Sequence, residues 1–429
     1  MAEYEAYIDS GAAWIGKVPA EWEVTRLKNH LRRTDARNPG GVQVLSLYRE
    51  LGIVPKDSRD DNHNVTSEDT SNYKYVQPGD FVVNKMKAWQ GSVAVSDYEG
   101  IVSPAYYVYK FLDERLYKRY FHYLIRSCYK EEFMSLSAGI RIGQWDLSSQ
   151  DLDNVPVLIP TMAEQTVIAA YLDREAERID AIIAETNASI EEYKAWKASI
   201  IYEAVTKGLD PNVEMKDSGV AWVGSIPLAW NVQKLKTLVS EALQYGANET
   251  GIDYDENLPR YIRITDVTSN GELKDTGKLS LSEDVAREYI LDDGDILLAR
   301  SGGTVGKAFY YKSEYGRAAF AGYMIKVRVN RDIIHPKLVY FATLAANYDD
   351  WKATTMTQAT IQNIGANKYN DFYVVVPPKD QQDTLVAYLE EKAGQIDALI
   401  SEKESLIADL EAYKKSLIFE VVTGKRKVV

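Results

Sequence analysis

An internal repeat is the feature that most constrains how this chain can fold. The segment Asp9-Ser-Gly-Ala-Ala-Trp-Ile-Gly-Lys-Val-Pro-Ala-Glu-Trp22 recurs as Asp217-Ser-Gly-Val-Ala-Trp-Val-Gly-Ser-Ile-Pro-Leu-Ala-Trp230, at a constant offset of 208 residues. We call these two segments the tryptophan motifs. A second match joins residues 157–208 to residues 374–425, without gaps, at an offset of 217. A repeat of this kind indicates one structural unit that occurs twice.

The repeat predicts two copies of the same series: a tryptophan motif, a variable domain and a long helix. We place the motifs in residues 1–23 and 209–231, the variable domains in 24–155 and 232–372, and the helices in 156–208 and 373–429. The variable domains share mainly Pro78-Gly-Asp-Phe-Val-Val-Asn-Lys85, which matches Asp293-Gly-Asp-Ile-Leu-Leu-Ala-Arg300. Divergent domains on a repeated frame indicate one scaffold that carries two different specificities.

The matched segments near residues 160 and 377 are predicted to be long amphipathic helices. Apolar residues follow each other at spacings of three and four with charged residues between them, and no proline interrupts either run. A helix from Thr161 to Thr206 is roughly 70 Å long at 1.5 Å per residue. Its apolar stripe needs a partner, and the second copy is the obvious one, so we expect a paired, coiled-coil-like arrangement.

Each variable domain is predicted to be mixed α/β. Short apolar runs bracketed by Gly, Asp, Asn and Pro are typical of strands, and we place strands at residues 81–84, 106–109, 296–299 and 324–329. Helical patterns occupy residues 116–132 and 336–347. The predicted fold class is therefore α/β, with two tandem mixed domains separated by two long helices.

Composition and charge exclude several classes of protein. No run of eighteen uncharged apolar residues occurs, and the first ten residues lack the pattern of a secretion signal, so we expect a cytoplasmic protein without a membrane segment. The single cysteine, Cys128, cannot form an internal disulfide and is expected to be a small buried apolar residue. The net charge of −13 lies almost wholly outside the variable domains, which are nearly neutral and can each present a basic face.

No sequence pattern indicates catalysis. The segment from Ser301 to Ala308 resembles a phosphate-binding loop but lacks its first glycine and the hydroxyl that follows the lysine. The four histidines have no metal-ligand spacing. Asp80 and Asp295 could be nuclease carboxylates, but turn formation explains both more simply because Asp favours tight turns. We therefore expect no catalytic residue, cofactor site or metal site in this chain.

The tryptophan motifs, together with Glu164-Gln165 and Gln381-Gln382 at the starts of the long helices, resemble the specificity subunits of type I restriction-modification systems. The resemblance covers nearly the whole chain. Gln381 stands where the family pattern commonly has Glu, which is a small departure. No single motif is specific to the family, but the combination is.

The resemblance implies a fold, a function and partners. Each variable domain would be a target recognition domain that reads one half of a bipartite double-stranded DNA sequence. The two helices would pack antiparallel and set the separation of the half-sites, about one helical turn or roughly 34 Å. Two modification subunits would carry S-adenosylmethionine and methylate adenine, and restriction subunits would supply ATP- and Mg-dependent activity. This chain would contribute none of that chemistry.

Candidate DNA-binding residues follow from the side chains that can pair with base edges. In the first domain they lie in the loop after residue 83 and near residue 142: Asn84, Lys85, Lys87, Gln90, Arg141 and Gln144. In the second domain they are Arg300, Ser301, Thr304, Lys307, Gln358, Thr360, Gln362 and Asn363. Each could instead be a solvated surface residue or a phosphate contact. Trp14, Trp22, Trp222 and Trp230 belong to the repeated frame, so we assign them to the scaffold core.

Two other functions remain open at this point. The first is a protein adaptor with two globular heads on a helical pair and no DNA binding, which the acidic net charge favours. The second is an enzyme with a nuclease or methyltransferase activity that no motif reveals.

Overall fold

The computed structural model describes residues 4–58, 66–139, 145–268, 271–355 and 363–428. Two compact units are present: Met1–Glu185 with Leu406–Val429, and Thr186–Ser405. Each unit contains one tryptophan motif, one variable domain and part of each long helix. The sequence repeat therefore corresponds to two structural units with the same parts.

The first unit combines short strands with three short helices. Its strands are β1 (Tyr7–Asp9), β2 (Lys17–Pro19), β3 (Glu23–Arg26), β4 (Leu31–Thr34), β5 (Leu45–Tyr48), β6 (Gly52–Pro55), β7 (Lys74–Val76), β8 (Phe81–Asn84), β9 (Val93–Val95), β10 (Gly100–Val102), β11 (Tyr106–Phe111), β12 (Ser137–Ala138), β13 (Asp146–Leu147) and β14 (Pro156–Ile159). Its helices are α1 (Lys118–Ser127), α2 (Lys130–Leu136) and α3 (Ser149–Asn154), followed by α4 (Met162–Lys207), which continues into the second unit.

A four-stranded antiparallel sheet with the order β4-β11-β8-β9 forms the centre of the first variable domain. The apolar strand β8 is buried along its whole length, as its sequence Phe-Val-Val-Asn suggests. At the boundary with the frame, β3 pairs antiparallel with β14 and so brings the two ends of the domain together. The largest core cluster contains Phe81, Tyr109 and Phe121, together with Trp22.

The second unit has a corresponding set of elements. Its strands are β15 (Met215–Asp217), β16 (Ser225–Pro227), β17 (Asn231–Lys234), β18 (Gln244–Tyr245), β19 (Ile252–Asp253), β20 (Arg260–Ile262), β21 (Leu279–Ser280), β22 (Ile296–Ala299), β23 (Ala308–Tyr310), β24 (Ala318–Phe320), β25 (Met324–Val327) and β26 (Tyr373–Val376). Its helices are α5 (Glu283–Ala286), α6 (Pro336–Ala342), α7 (Asn347–Thr355), α8 (Ala366–Asn370) and α9 (Lys379–Val422), which ends in the first unit.

The second variable domain repeats the central sheet of the first despite its different sequence. The strand order is β18-β25-β22-β23, again antiparallel throughout. A further sheet, β19-β21-β20-β24, includes one parallel pair, between β20 and β24. The pairing of β17 with β26 closes this domain as β3 and β14 close the first. The two domains therefore share a central framework and differ in what surrounds it.

Most of the strands predicted from the sequence occur at or near the predicted residues, but the predicted helical patches are interrupted. The predicted helix at residues 116–132 is two helices, α1 and α2, separated by Cys128 and Tyr129. The predicted helix at residues 336–347 ends at Ala342, and α7 begins at Asn347. Both Cys128 and Tyr129 are buried, so tertiary packing of these side chains accompanies the first interruption.

The two long helices pack antiparallel within each unit. In the first unit, Lys414 of α9 pairs with Asp180 of α4 at 2.6 Å, and Arg426, just after α9, lies within electrostatic reach of Tyr171. In the second unit, Lys197 of α4 pairs with Asp397 of α9 at 2.5 Å. The second ion pair is the repeat-related copy of the first with the roles of the helices exchanged. Within the described residues, none of the helices has both the length and the apolar character needed to cross a membrane.

Buried glutamines connect each variable domain to the start of a long helix. The side chain of Gln165 accepts a hydrogen bond from Tyr117 N and donates to Arg115 O and Pro160 O, at 2.7 to 2.9 Å. Gln382 makes the matching set with His335 N, Ile333 O and Pro377 O, at 2.7 to 3.0 Å. Residues in the family-like Glu-Gln and Gln-Gln pairs therefore have a structural role in both copies.

The tryptophans of the repeated motif pack into the scaffold. Trp22 and Trp230 are each only 3% exposed, and their indole N–H groups donate to Glu164 Oε1 at 3.1 Å and to Gln381 Oε1 at 3.0 Å. Gln381 thus performs the task of the glutamate in the first copy, because an amide oxygen accepts the same hydrogen bond. Trp14 and Trp222 are half-buried against the aromatic rings of Tyr129 and Phe372.

Candidate nucleic-acid interface

The candidate sites begin at a tight turn before the central strand of each domain. Gly79 and Gly294 both have φ of 89°, a conformation that side chains disfavour. The carboxylate of Asp80 accepts the N–H of Gln77 at 2.9 Å, and that of Asp295 accepts the N–H of Asp292 at 2.8 Å. Burial raises the pKa of Asp80 above its usual range. Both carboxylates are engaged in holding the turn, as proposed from the sequence.

Lys85 and Arg300 occupy the same structural position. Each is the first residue after its central strand, β8 or β22. The N–H of Lys85 donates to Ala105 O at 3.3 Å and that of Arg300 donates to Tyr323 O at 3.0 Å, and each acceptor directly precedes the neighbouring strand. The two loops end at glycines with positive φ, Gly91 and Gly306. The fold therefore presents one cation at an equivalent, backbone-anchored position in each domain.

A later segment of each domain lies against this loop. Leu147 N donates to Lys85 O at 3.1 Å, and Ile364 N donates to Arg300 O at 2.8 Å. In the second domain an isolated β-bridge also joins Ser301 to Asn363. The structure thus brings the predicted residue Asn363 to the predicted loop. Arg141, Gln144, Gln358, Thr360 and Gln362, also predicted from the sequence, lie outside the described residues.

In the first domain the loop cation is paired with a carboxylate. Lys85 Nζ lies 2.8 Å from Asp146 Oδ2, and this hydrogen bond raises the pKa of Lys85 above its usual range. Asn84 is buried, and its side-chain oxygen accepts the N–H of Met86 at 3.2 Å, so this amide mainly shapes the loop. Lys87 is exposed and Gln90 is half-buried. Lys87 is consequently the more accessible cation of this loop.

The sequence reasoning missed a basic cluster beside Lys85. The guanidinium of Arg33 on β4 and the ammonium of Lys74 on β7 lie 5.7 and 5.5 Å from the ring centroid of Tyr107 on β11. Burial lowers the pKa of Lys74, with smaller effects from Arg33, Lys85 and Arg37, and Asp35 opposes them. A local excess of positive charge therefore exists in a domain that is nearly neutral as a whole. No local sequence pattern joins these residues, because Arg33, Lys74 and Tyr107 lie on three separate strands.

In the second domain the loop cation has an aromatic neighbour. The guanidinium carbon of Arg300 lies 4.8 Å from the ring centroid of Tyr245, a cation–π arrangement. Ser301 is half-buried, whereas Thr304 and Asn363 are exposed. Tyr323, whose carbonyl anchors Arg300, is 71% exposed. These residues form a polar and aromatic surface of the kind that contacts base edges and sugars.

Lys307 is positioned differently from the other predicted residues. Its Nζ donates to the carbonyl oxygens of Val267 at 3.3 Å and Thr268 at 2.9 Å. Burial lowers the pKa of Lys307, and the charge of Lys274 lowers it further. Two of its three donors are therefore used inside the domain. Its proposed contact with DNA stays a prediction.

No metal centre is evident at these sites. Within residues 4–58, 66–139, 145–268, 271–355 and 363–428, no group of three or more His, Cys, Asp or Glu side chains is placed to hold a metal ion. The cations, amides and hydroxyls of the two surfaces are suited to binding a polyanion with base edges.

Comparison with known proteins supports a specific family. The family model described as type I restriction modification DNA specificity domain matches residues 34–192 and 236–407. The specificity subunit of the type I restriction enzyme StySPI from Salmonella potsdam is 22% identical over 309 residues, which are 71% of this chain and 64% of that protein. The EcoKI specificity subunit from Escherichia coli (strain K12) is 23% identical over 311 residues, with the same two coverages. The match thus spans just under two thirds of the length of both relatives.

A solved structure has the same fold. A chain from a study of complex assembly and conformational transition of the type I R-M system superposes with a TM-score of 0.67, covering 95% of this chain and 99% of that one. The two sequences are 13% identical, so the likeness concerns the fold. The family model, by contrast, matches the chain twice and covers most of its length. This chain therefore belongs to the family of type I restriction modification DNA specificity domains and carries two copies of that domain.

Proposed function

We propose that this chain is the DNA sequence-specificity subunit of a type I restriction-modification complex. Each variable domain reads one half of a bipartite double-stranded DNA target. One observation carries the proposal: the two domains share a central sheet order and a loop anchored by the same backbone bonds, yet they present different residues there. A common framework with different displayed side chains is what two recognition domains for unlike half-sites require.

The displayed residues have the chemistry of DNA recognition. Phosphate contacts need cations, whereas base contacts need side chains that offer defined donors and acceptors. In the first domain these are Lys85, Lys87 and Gln90, with Arg33 and Lys74 nearby. The second domain offers Arg300, Ser301, Thr304 and Asn363. The local charge, and not the net charge of −13, determines what such a surface can bind.

The chemistry belongs to the partners in this proposal. Two modification subunits hold S-adenosylmethionine and methylate the target, and restriction subunits hold ATP and Mg. The long helices set the half-site spacing and provide the docking scaffold for the modification subunits. The chain itself is non-catalytic, and the engagement of Asp80 and Asp295 with their own backbone supports this assignment.

Selection from a randomised duplex pool tests the proposal. The chain in complex with its modification subunits should enrich a gapped consensus. Lys85→Ala should alter one half of that consensus and Arg300→Ala the other, because the two residues lie in different domains. Recovery of no enriched sequence would favour the adaptor. The isolated chain, incubated with S-adenosylmethionine, Mg and DNA, should neither methylate nor cleave, and either activity would refute the non-catalytic role.

A further inference from the structure

The two loop cations have different surroundings, although their positions are equivalent. In the first domain Asp146 pairs with Lys85, and Asp35 is close to Arg33 and Lys74. Backbone pairing places Asn363 at the position of Asp146 in the second domain, and strand register places Tyr245 at the position of Asp35. An amide and an aromatic ring thus replace two carboxylates. Among the described residues, Arg300 has no carboxylate where Asp146 pairs with Lys85, and none at the position of Asp35, which pairs with Arg33 and Lys74.

Arg300 is held in place without a hydrogen bond from its guanidinium to any of the described residues. The backbone N–H of Arg300 donates to Tyr323 O, and its backbone carbonyl oxygen accepts the N–H of Ile364. The guanidinium stacks on Tyr245, whose hydroxyl accepts the N–H of Ala366 at 2.9 Å and so fixes the ring. Arg300 Nε is buried and has no hydrogen-bond partner among the described residues. Because Nε is buried, the two Nη groups are the donors that Arg300 can offer to a ligand, while the cation–π contact with Tyr245 holds the guanidinium in place.

We propose that Arg300 is a specificity-determining residue that reads a guanine in one half-site, and that Tyr245 is its positioning residue. Guanine presents two acceptors, O6 and N7, in the major groove, and the arginine fork matches both at once. Arginine also binds phosphate through this fork, so the variants below distinguish a base contact from a phosphate contact. This inference rests on the proposed function, since it assigns a base to a surface that is proposed to read DNA.

Lys85 does not have the same capacity. Its ammonium is a point charge without a planar fork, and Asp146 already accepts one of its hydrogen bonds at 2.8 Å. A base at this position would meet the carboxylate of Asp146, a hydrogen-bond acceptor, next to the ammonium of Lys85, a donor. The two domains therefore differ in the base that the equivalent position selects, although both loops are built on the same backbone.

The test uses the full chain, with its modification subunits, on a randomised duplex pool, and compares wild type with Arg300→Ala and Arg300→Lys. Wild type should enrich a gapped consensus with a guanine at one position. In Arg300→Ala the preference for that guanine should fall roughly 5- to 150-fold, the discrimination of one bidentate contact, while the other positions remain enriched. Arg300→Lys should keep only part of the preference, because an ammonium can reach guanine O6 and N7 but has no planar fork. Arg300→Lys keeps the charge, so it separates base reading from phosphate attraction. Melting temperatures of the variants identify any misfolding.

A matched control and the positioning residue sharpen the test. Arg287→Ala removes an exposed arginine of the same domain, whose partner is Asp284 at 3.8 Å, and should leave the consensus unchanged. Tyr245→Leu should reduce the preference for guanine at the same position, whereas Tyr245→Phe, which keeps the ring but loses the hydroxyl bond to Ala366 N, should retain most of it.

Three outcomes overturn the inference. Arg300→Ala that keeps the guanine preference shows that another residue reads this base. Uniformly weaker binding with an unchanged consensus shows that Arg300 contacts phosphate. A wild-type consensus without guanine in either half shows that Arg300 does not read guanine. The proposed function survives in all three cases. A wild type that enriches no gapped consensus would instead refute the proposed function.

Discussion

The buried glutamines at the starts of the long helices provide a quantitative test of the repeated framework. Replacing Gln165 by leucine removes the partner of three backbone groups: Tyr117 N, Arg115 O and Pro160 O. Leucine has similar bulk but cannot donate or accept a hydrogen bond. Gln382→Leu leaves the equivalent three groups, on His335, Ile333 and Pro377, without a partner.

The expected loss of stability follows from the number and burial of these groups. A buried backbone group without a partner costs about 1 to 3 kcal/mol. In each copy two of the three bonds are only partly buried, so the lower end of that range applies. The total is about 3 kcal/mol per variant. For a unit of this size that corresponds to a melting temperature lower by about 6 to 12 °C.

Scanning calorimetry of the full chain measures this effect. Gln165→Leu should lower the unfolding temperature of the first unit, and Gln382→Leu should lower that of the second by a similar amount. Gln395→Leu is the matched control, because this exposed glutamine of α9 bonds, among the described residues, only to side chains of its own helix: Glu391 at 3.1 Å and Lys392 at 3.5 Å. Its effect should stay below about 0.5 kcal/mol. If the two buried variants melted within the range of the control, the assignment of these glutamines as structural connectors would be wrong.

Two further predictions concern charge. Asp146→Asn should lower the pKa of Lys85 toward its usual value, as NMR titration would show. The variant should also steepen the salt dependence of DNA binding by roughly one unit of slope, because the released ammonium of Lys85 becomes available to a phosphate. An unchanged slope would exclude Lys85 as a phosphate contact. Burial, with the charges of Arg126 and Arg119, lowers the pKa of His122 to about 3. The unfolded chain therefore takes up a proton below the usual pKa of histidine while the folded chain does not, so stability falls as the pH falls from about 6.5 toward 3. Between pH 7 and pH 5, the free energy of unfolding measured with urea should fall by about 2 kcal/mol more in the wild type than in His122→Gln. Equal losses in the two proteins would contradict the burial of a neutral His122.

Several elements were predictable because their signals are local. The long helix was expected from Thr161 to Thr206 and spans Met162–Lys207, since a continuous apolar stripe without proline specifies its own length. The central strands at residues 81–84 and 296–299 coincide with their predicted positions, because a glycine turn and a short apolar run mark each one. The type I specificity family was also identified from the repeated tryptophan motifs and helix starts.

The candidate sites were predictable only in part. The loops that begin at Lys85 and Arg300 were identified because a polar residue after a buried strand is exposed at the end of a sheet. Arg33 and Lys74 were missed, because β4 reaches the strand of Tyr107 by non-local pairing and β7 belongs to another sheet, where it pairs with β10.

The amino-acid sequence by itself determined that the chain has two repeated units, two long helices and a loop after the central strand of each variable domain that begins with a cation, Lys85 or Arg300. Only the tertiary structure decided what each cation does. Lys85 meets Asp146 across 61 residues, and Lys307 meets the carbonyl of Thr268 across 39, whereas the guanidinium of Arg300 lies over the ring of Tyr245. The physical reason is that a side chain's charge and hydrogen-bond partners are set by packing between distant segments, which no local pattern in the sequence encodes.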